Sequence, residues 1–461
     1  MTPSHPAAAS THARWATVRA VTGLDFHVLS TLLFRSWSLV AGAVTVLVVP
    51  LTLDPTEQGY YFTFASLVAL QVVFELGLNV VVVQIVSQEF AFVSVDRTGA
   101  VVGDPPHIAR VFSLLKSLRR WYRIAGALFF IVVGGIGTYF FNERGHLPAS
   151  EWLGAWWLLT LGFAINFYLS PFLAVLEGAG EFGQVARMRM YQSMAGHASI
   201  WAALWAGAGL WSAAALSVVA AVFTLTWLRY RAPLLRGIDT AGRQIPRVKL
   251  DWGREVFPLQ WRIAISWVCG YLVFNLFTPV IFARQGAVDA GRLGLALTIF
   301  SMVLTLGMSW LNAKTPDFGR LIAKRERAGL NSLFLRTLSR SWVFTLVACL
   351  VLLSLAWGIQ WLGLPLSDRI AAFPVLLCIA AVTLINNVVF ACAAYIRAHK
   401  REPLMAQSVV HGLLTVGALY VGSTHGVLLT MTLYLAVSAL VALPWTLWLF
   451  RGYWTRAVAS A

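Results

Sequence analysis

The chain has 461 residues, of which 59% are apolar and 12% charged, with 35 Lys and Arg against 19 Asp and Glu. Soluble domains run near ~25% charged, so a chain this long could not cover a soluble surface with so few charges. The composition excludes a string of soluble domains and leaves a polytopic membrane protein. The four cysteines (Cys269, Cys349, Cys378, Cys392) fall inside apolar runs without metal-ligand spacing and read as small core residues.

A membrane-crossing helix needs about 20 mostly apolar residues. In chain order such runs fall at 28–51, 60–86, 123–141, 152–176, 191–209, 211–228, 258–282, 293–316, 341–363, 371–396, 404–422 and 426–450. The expected fold is all-α: twelve transmembrane helices in two six-helix pseudo-repeat halves around a central cavity. The expected divisions are a leader (1–27), a first half (28–232), a basic linker (233–257), a second half (258–450) and a tail (451–461). The leader carries Arg14 and Arg19 but no apolar core before a cleavage site, so it reads as retained.

Of the 35 Lys and Arg residues, 28 lie in segments on the N-terminal side of the membrane, four in the opposite loops and three within spans. This asymmetry predicts cytoplasmic termini. It also turns the basic excess into a topology signal, so no nucleic-acid partner is expected. The opposite loops are too short to fold into a domain. On the basic side, the stretch HIARVFSLLKSLRRWYR (107–123) has an amphipathic helix pattern. It reads either as a helix lying on anionic lipid or as a basic loop.

The two halves open alike. Each has an Arg after an aromatic residue early in its first span (Arg35, Arg262) and a Pro near that span's far end (Pro50, Pro279). An acidic-x-Gly follows (Glu57-Gln58-Gly59, Asp289-Ala290-Gly291), then a Leu-Gly deep in the next span (Leu76-Gly77, Leu306-Gly307). A parallel repeat of this kind places a cavity between halves that rock to alternate access.

Ionisable groups within the membrane cost at least ~2.5–3.5 kcal/mol and mark functional candidates. Arg35 and Glu75 lie at similar depth in the first two spans. They read either as a structural ion pair or as an anion contact with Glu75 tuning it or carrying a coupling proton. Arg262 either contacts substrate or snorkels to the headgroups. Lys314 and Asp317, three residues apart, form an interfacial pair and are candidates for a gate on the cytoplasmic side. Among the amides, Asn275 and Asn386 are best placed to bind sugar hydroxyls, while Asn79, Asn166, Asn312 and Asn387 fit packing between helices. Pro171, Pro374 and Pro444 predict kinks.

No phosphate loop, HExxH or GxSxG is present. The acidic pair Asp54 and Glu57 is the one hint of a membrane glycosyltransferase or ligase, and a transporter is expected in preference to an enzyme. No cofactor or metal is expected.

The run LTLDPTEQGYYFTFASLVALQVVFELGLNVVVVQIVSQE (51–89) resembles the first outer loop and second span of bacterial polysaccharide exporters. AVLEGAGEFGQVARMRMYQS (174–193) resembles their link between spans 4 and 5, and the second half fits from PLQWRIAISW to PDFGRLIAKRE. These exporters are the oligosaccharide flippases of the multidrug/oligosaccharidyl-lipid/polysaccharide exporter superfamily. The resemblance implies translocation of an undecaprenyl-diphosphate-linked oligosaccharide across the bacterial inner membrane. The repeat unit would belong to an O-antigen, capsule or exopolysaccharide. It implies membrane lipids, polysaccharide polymerase and glycosyltransferases as partners, and Arg35 and Arg262 as cavity arginines for the diphosphate. The alternative within the same superfamily is a cation-coupled drug or metabolite antiporter.

Overall fold

The computed structural model describes residues 26–96, 101–231, 233–245, 252–253, 257–399 and 403–459. The leader, apart from its last two residues, and the middle of the linker lie outside this set.

The first half begins with α1 (Phe26–Thr52). A second span follows in three pieces, α2 (Pro55–Val68), α3 (Gln71–Glu75) and α4 (Leu78–Glu89). After a two-stranded hairpin (β1 Val93–Val95, β2 Val101–Gly103) come α5 (Pro105–Arg144), α6 (Ala149–Gly178), α7 (Phe182–Trp205) and α8 (Trp211–Arg231). A short helix, α9 (Pro233–Arg243), leads into the linker.

The second half runs from α10 (Phe257–Phe274) and α11 (Phe277–Gln285), which share a span, through α12 (Ala287–Ala323), α13 (Arg327–Trp361) and α14 (Phe373–Ala398). It closes with α15 (Met405–Gly422) and a last span of α16 (Val427–Val437), a π turn (Ser438–Ala442) and α17 (Leu443–Ala459). With the short α9 set aside, counting broken helices as one gives twelve helical units among the described residues, of which nine, or ten with the bent second span, are long and apolar enough to cross a membrane. Each overlaps one of the apolar runs, though α5 starts at Pro105 and α13 at Arg327, well before the runs at 123 and 341, and 451–459 continues the last helix instead of forming a separate tail.

The helix pairing repeats between the halves. In each half the first span packs on the fifth, the second on the third and fourth, the third on the fourth, and the sixth on the fourth and fifth. The halves meet through their opening spans: α2 lies along α12 and against α11, α3 meets α10, and α1 touches α12. The meeting is tightest away from the basic end of the helices, at what is called here the distal face. There Tyr60, Phe64, Phe141 and Trp152 from the first half share one buried cluster with Phe277, Phe282 and Leu293 from the second. Tyr60 sits 5.0 Å edge-on from Phe282 and 5.1 Å stacked on Phe141, centroid to centroid.

The all-α chain carries a short hairpin, which pairs Val93 with Gly103 and Val95 with Val101. Two expectations need correcting. The amphipathic stretch does not lie apolar-side-down on lipid: Ile108, Val111, Leu115 and Leu118 are buried against Leu234, Leu235 and Ile238 of α9. This basic-face cap is pinned by Arg119, whose guanidinium donates two hydrogen bonds to Asp239 at 3.0 and 2.7 Å. Glu89 joins it, its carboxylate 2.9 Å from the Arg110 guanidinium in a salt bridge and 2.6 Å from His107. Finally, Pro374 starts α14 within its first turn, where a missing N–H costs nothing, instead of kinking it.

Candidate functional site

The second half holds a cavity of about 530 Å³, bounded by α10, α12, α14 and α16. It falls within the usual range for a small-molecule site. One wall is a polar stripe on α12, where Ser301, Thr305 and Asn312 fall at helical spacing in an otherwise apolar span. All three are exposed, and polar groups at such depth are tolerated where they line an aqueous cavity. The facing wall is α14, whose Thr383, Asn386, Phe390, Ala394 and Arg397 recur every three or four residues along one face.

A second cavity of about 240 Å³ adjoins the first and shares Phe274, Asn386, Phe390 and Arg397 with it. It adds Gln407, Ser408 and His411 from α15. The π turn at Ser438–Ala442 begins beside this chamber, and such turns concentrate at functional sites. His411 stacks on Tyr434 at 6.3 Å between centroids, and its Nε2 lies 3.5 Å from the Ser438 hydroxyl. Among the described residues, both cavities are lined by aliphatic side chains together with amides, hydroxyls, an imidazole and aromatic faces, with Arg397 toward the basic end and no carboxylate.

The doublet Asn386-Asn387 divides its labour. Asn386 lines both cavities and is 4% exposed. Asn387 points away, donating to Ser341 at 2.9 Å and Thr345 at 3.1 Å, so it ties helices together. Asn275 lies at the break between α10 and α11, where its amide N–H bonds to the Tyr271 carbonyl, and it lines neither cavity. Asn312, expected as packing, belongs to the cavity wall. Asn166 does pack, donating at 2.8 Å to the Gly162 and Ser217 carbonyls.

In the first half, Glu75 ends α3 at a break where Leu76 (φ 50°) and Gly77 (φ 68°) both take the left-handed conformation. The span bends there by 44°. A left-handed Leu carries a steric cost of order 1 kcal/mol, and such strain clusters at functional sites. Glu75 accepts from Asn79 at 2.7 Å; Asn79 donates also to Ser170 at 3.0 Å and accepts from the Tyr122 hydroxyl at 3.1 Å. The partner expected for Glu75, Arg35, lies on the backbone of α1, but its side chain is outside the described residues, as is that of Arg262 on α10. Lys314 and Asp317 do pair, at 3.1 Å, and Arg320 joins them on the same carboxylate.

Asp54 and Glu57 are spent on each other. The Glu57 amide donates to the Asp54 carboxylate at 2.7 Å, and the Asp54 amide donates to the Glu57 carboxylate at 3.0 Å. This is a capping box that starts α2, which removes the motive for reading the pair as catalytic. Between them and the core lies a residue that sequence reading passed over. Gln58 is 1% exposed, and its side-chain amide donates to the carbonyls of Gly291 and Arg369, both at 3.1 Å and both in the second half.

No protein-family model and no curated protein matches this chain. Solved structures do. An inward-facing multidrug resistance MATE family transporter of the MOP superfamily superposes with a TM-score of 0.72 at 12% identity, over 94% of this chain and 99% of that one. The fold is that of the MATE transporters. An outward-facing MATE family transporter superposes less well, with a TM-score of 0.52 at 13% identity, over 94% and 95% of the two chains. A MOP superfamily transporter from Pyrococcus furiosus, described by the reversed polarity of its binding pocket, matches at 0.54 and 14% identity, over 94% and 97%.

Proposed function

We propose that this protein is an alternating-access transporter whose cargo is a lipid-linked oligosaccharide, taken up at the cytoplasmic leaflet and released at the far one. The fold supports transport in general; the cargo rests on the chemistry of the second-half cavity. Its lining of Asn386, Thr383, Tyr434 and the α12 hydroxyls suits a hydroxyl-rich headgroup, and Phe274, Phe300 and Phe390 supply faces on which sugar rings stack. Arg397 gives a cationic end for a phosphate, since guanidinium bonds to phosphate oxygens are charge-assisted and often bidentate. The single observation that carries the reading is the combination, in one lining, of amides and hydroxyls with aromatic faces and Arg397, which suits an anionic, hydroxyl-rich headgroup. The surplus of basic residues at one end of the helices supports a cytoplasmic location for that face and a bacterial inner-membrane setting.

A cation-coupled drug or metabolite antiporter is the second reading. It is favoured by the multidrug MATE transporters among the solved structures this chain resembles and by Glu75, a carboxylate at a strained helix break in the opposite half. Deleting the gene in its host separates the two. Lost surface polysaccharide with accumulated lipid-linked intermediate supports the flippase; intact polysaccharide with heightened sensitivity to toxic cations supports the antiporter and overturns the flippase.

A further inference from the structure

On the basic face, α5 carries two populations of cations. Arg110 and Arg119 are held by Glu89 and Asp239 inside the cap. Lys116, Arg120 and Arg123 recur at i, i+4 and i+7 on another face, exposed, and form no salt bridge among the described residues. The helix continues directly from this stripe into apolar side chains that face outward, with Trp121 48%, Ile124 57% and Leu128 50% exposed. The cations therefore sit where the headgroups meet the hydrocarbon.

Beside them is a groove of about 330 Å³, lined chiefly by apolar atoms and bounded by Leu78, Ser117, Arg120, Trp121, Trp252 and Gln260. Leu78 follows the break in the second span, and Gln260 opens the second half. The groove thus straddles the basic-face seam between the halves, the side opposite their packed distal contact. An apolar slot open to lipid, with cations and a hydroxyl at its mouth, matches the two ends of an acidic lipid.

We infer that this groove is a binding site for an anionic membrane phospholipid. Its phosphate takes Arg120, with Lys116 and Arg123 adding long-range attraction, while an acyl chain lies along Trp121 and Ile124. Because its walls come from both halves, the lipid bridges them and favours the conformation closed at the distal face. The inference does not depend on which cargo the protein carries.

The test is native mass spectrometry of the full-length protein titrated with phosphatidylglycerol or with phosphatidylcholine of the same chains. The expected result is selective retention of phosphatidylglycerol. Each neutralisation among Lys116→Gln, Arg120→Gln and Arg123→Gln should weaken it about fivefold, from the attraction typical of one basic residue near an acidic membrane. Equal retention of both lipids by the parent overturns the proposal without any variant. So does undiminished phosphatidylglycerol binding by a folded triple variant. Retention of a polyprenyl diphosphate but not of phosphatidylglycerol also overturns it, and makes the groove a cargo entry instead. Arg120→Lys, which keeps the charge, should bind phosphatidylglycerol nearly as the parent does, and a loss as large as that of Arg120→Gln speaks against a charge-based site.

Discussion

Gly59 of the second span and Gly291 of the eighth meet where the two halves close. A Cβ on Gly291 would stand 2.8 Å from the Gly59 amide nitrogen, and one on Gly59 would overlap the Ala287 carbonyl. These are the glycines of the repeated acidic-x-Gly motif. The internal repeat thus places its matching residues against each other, so that backbone packs on backbone at this point of the distal face.

A side chain at Gly59 should therefore wedge this face open. Overpacking typically costs 1–3 kcal/mol, enough to shift a two-state equilibrium by roughly five- to 150-fold. Spin labels placed across the distal face of a Gly59→Leu variant should report a longer, more populated distance than in the parent. An unchanged distance distribution would show that the contact does not govern closure.

Gln58 should act in the same sense more gently. Gln58→Leu removes two hydrogen bonds that join the halves, each worth about 1 kcal/mol. In the same spin-label experiment it should shift the population toward the open distal face by about tenfold or more. Normal global unfolding would show that the loss is confined to the seam.

The cap predicts a local effect. Asp239→Asn breaks the paired hydrogen bonds from Arg119 at a part-buried site, where a loss of about 1 kcal/mol is expected. Amide hydrogen exchange in 233–243 should rise several-fold while exchange in α12 and α14 stays unchanged.

Much of this architecture was legible before any coordinates, because membrane helices announce themselves by length and hydropathy. The long helices were, since each overlaps an apolar run of the sequence. The cap was not: Ile108, Leu115 and Leu118 have the same amphipathic spacing whether they face lipid or Leu234 and Leu235 of α9, and periodicity cannot choose between them. The matching Leu-Gly pairs misled in a different way. Leu76-Gly77 breaks its helix, whereas Gly307 stays helical and makes room for Thr345. Glycine serves both close packing and left-handed backbone, and sequence does not say which. Of the residues that line the cavities, Asn386 stands out in the sequence by its depth, whereas Arg397 falls among the loop charges because it ends a helix. Thr383, Tyr434 and the α12 hydroxyls carry a signal only once their three-to-four-residue spacing within apolar spans is read.

The two charged candidates of the first half separate under mutation. Arg35→Ala should abolish surface polysaccharide while protein remains in the membrane at parental levels; loss of the protein itself would make Arg35 a structural residue. Glu75→Gln keeps the acceptor for Asn79 and removes the charge. If Glu75 carries a coupling proton, transport by this variant should lose its dependence on an imposed pH gradient while cargo binding persists.

The most direct measurement of cargo is leaflet exposure of a fluorescent polyprenyl-diphosphate oligosaccharide in proteoliposomes, followed by an impermeant quencher. A flippase equilibrates the lipid between leaflets, and Asn386→Leu, which strips an amide from both cavities, should slow this at least tenfold. Identical quenching with and without protein, alongside gradient-driven movement of an organic cation in the same vesicles, would contradict the assignment.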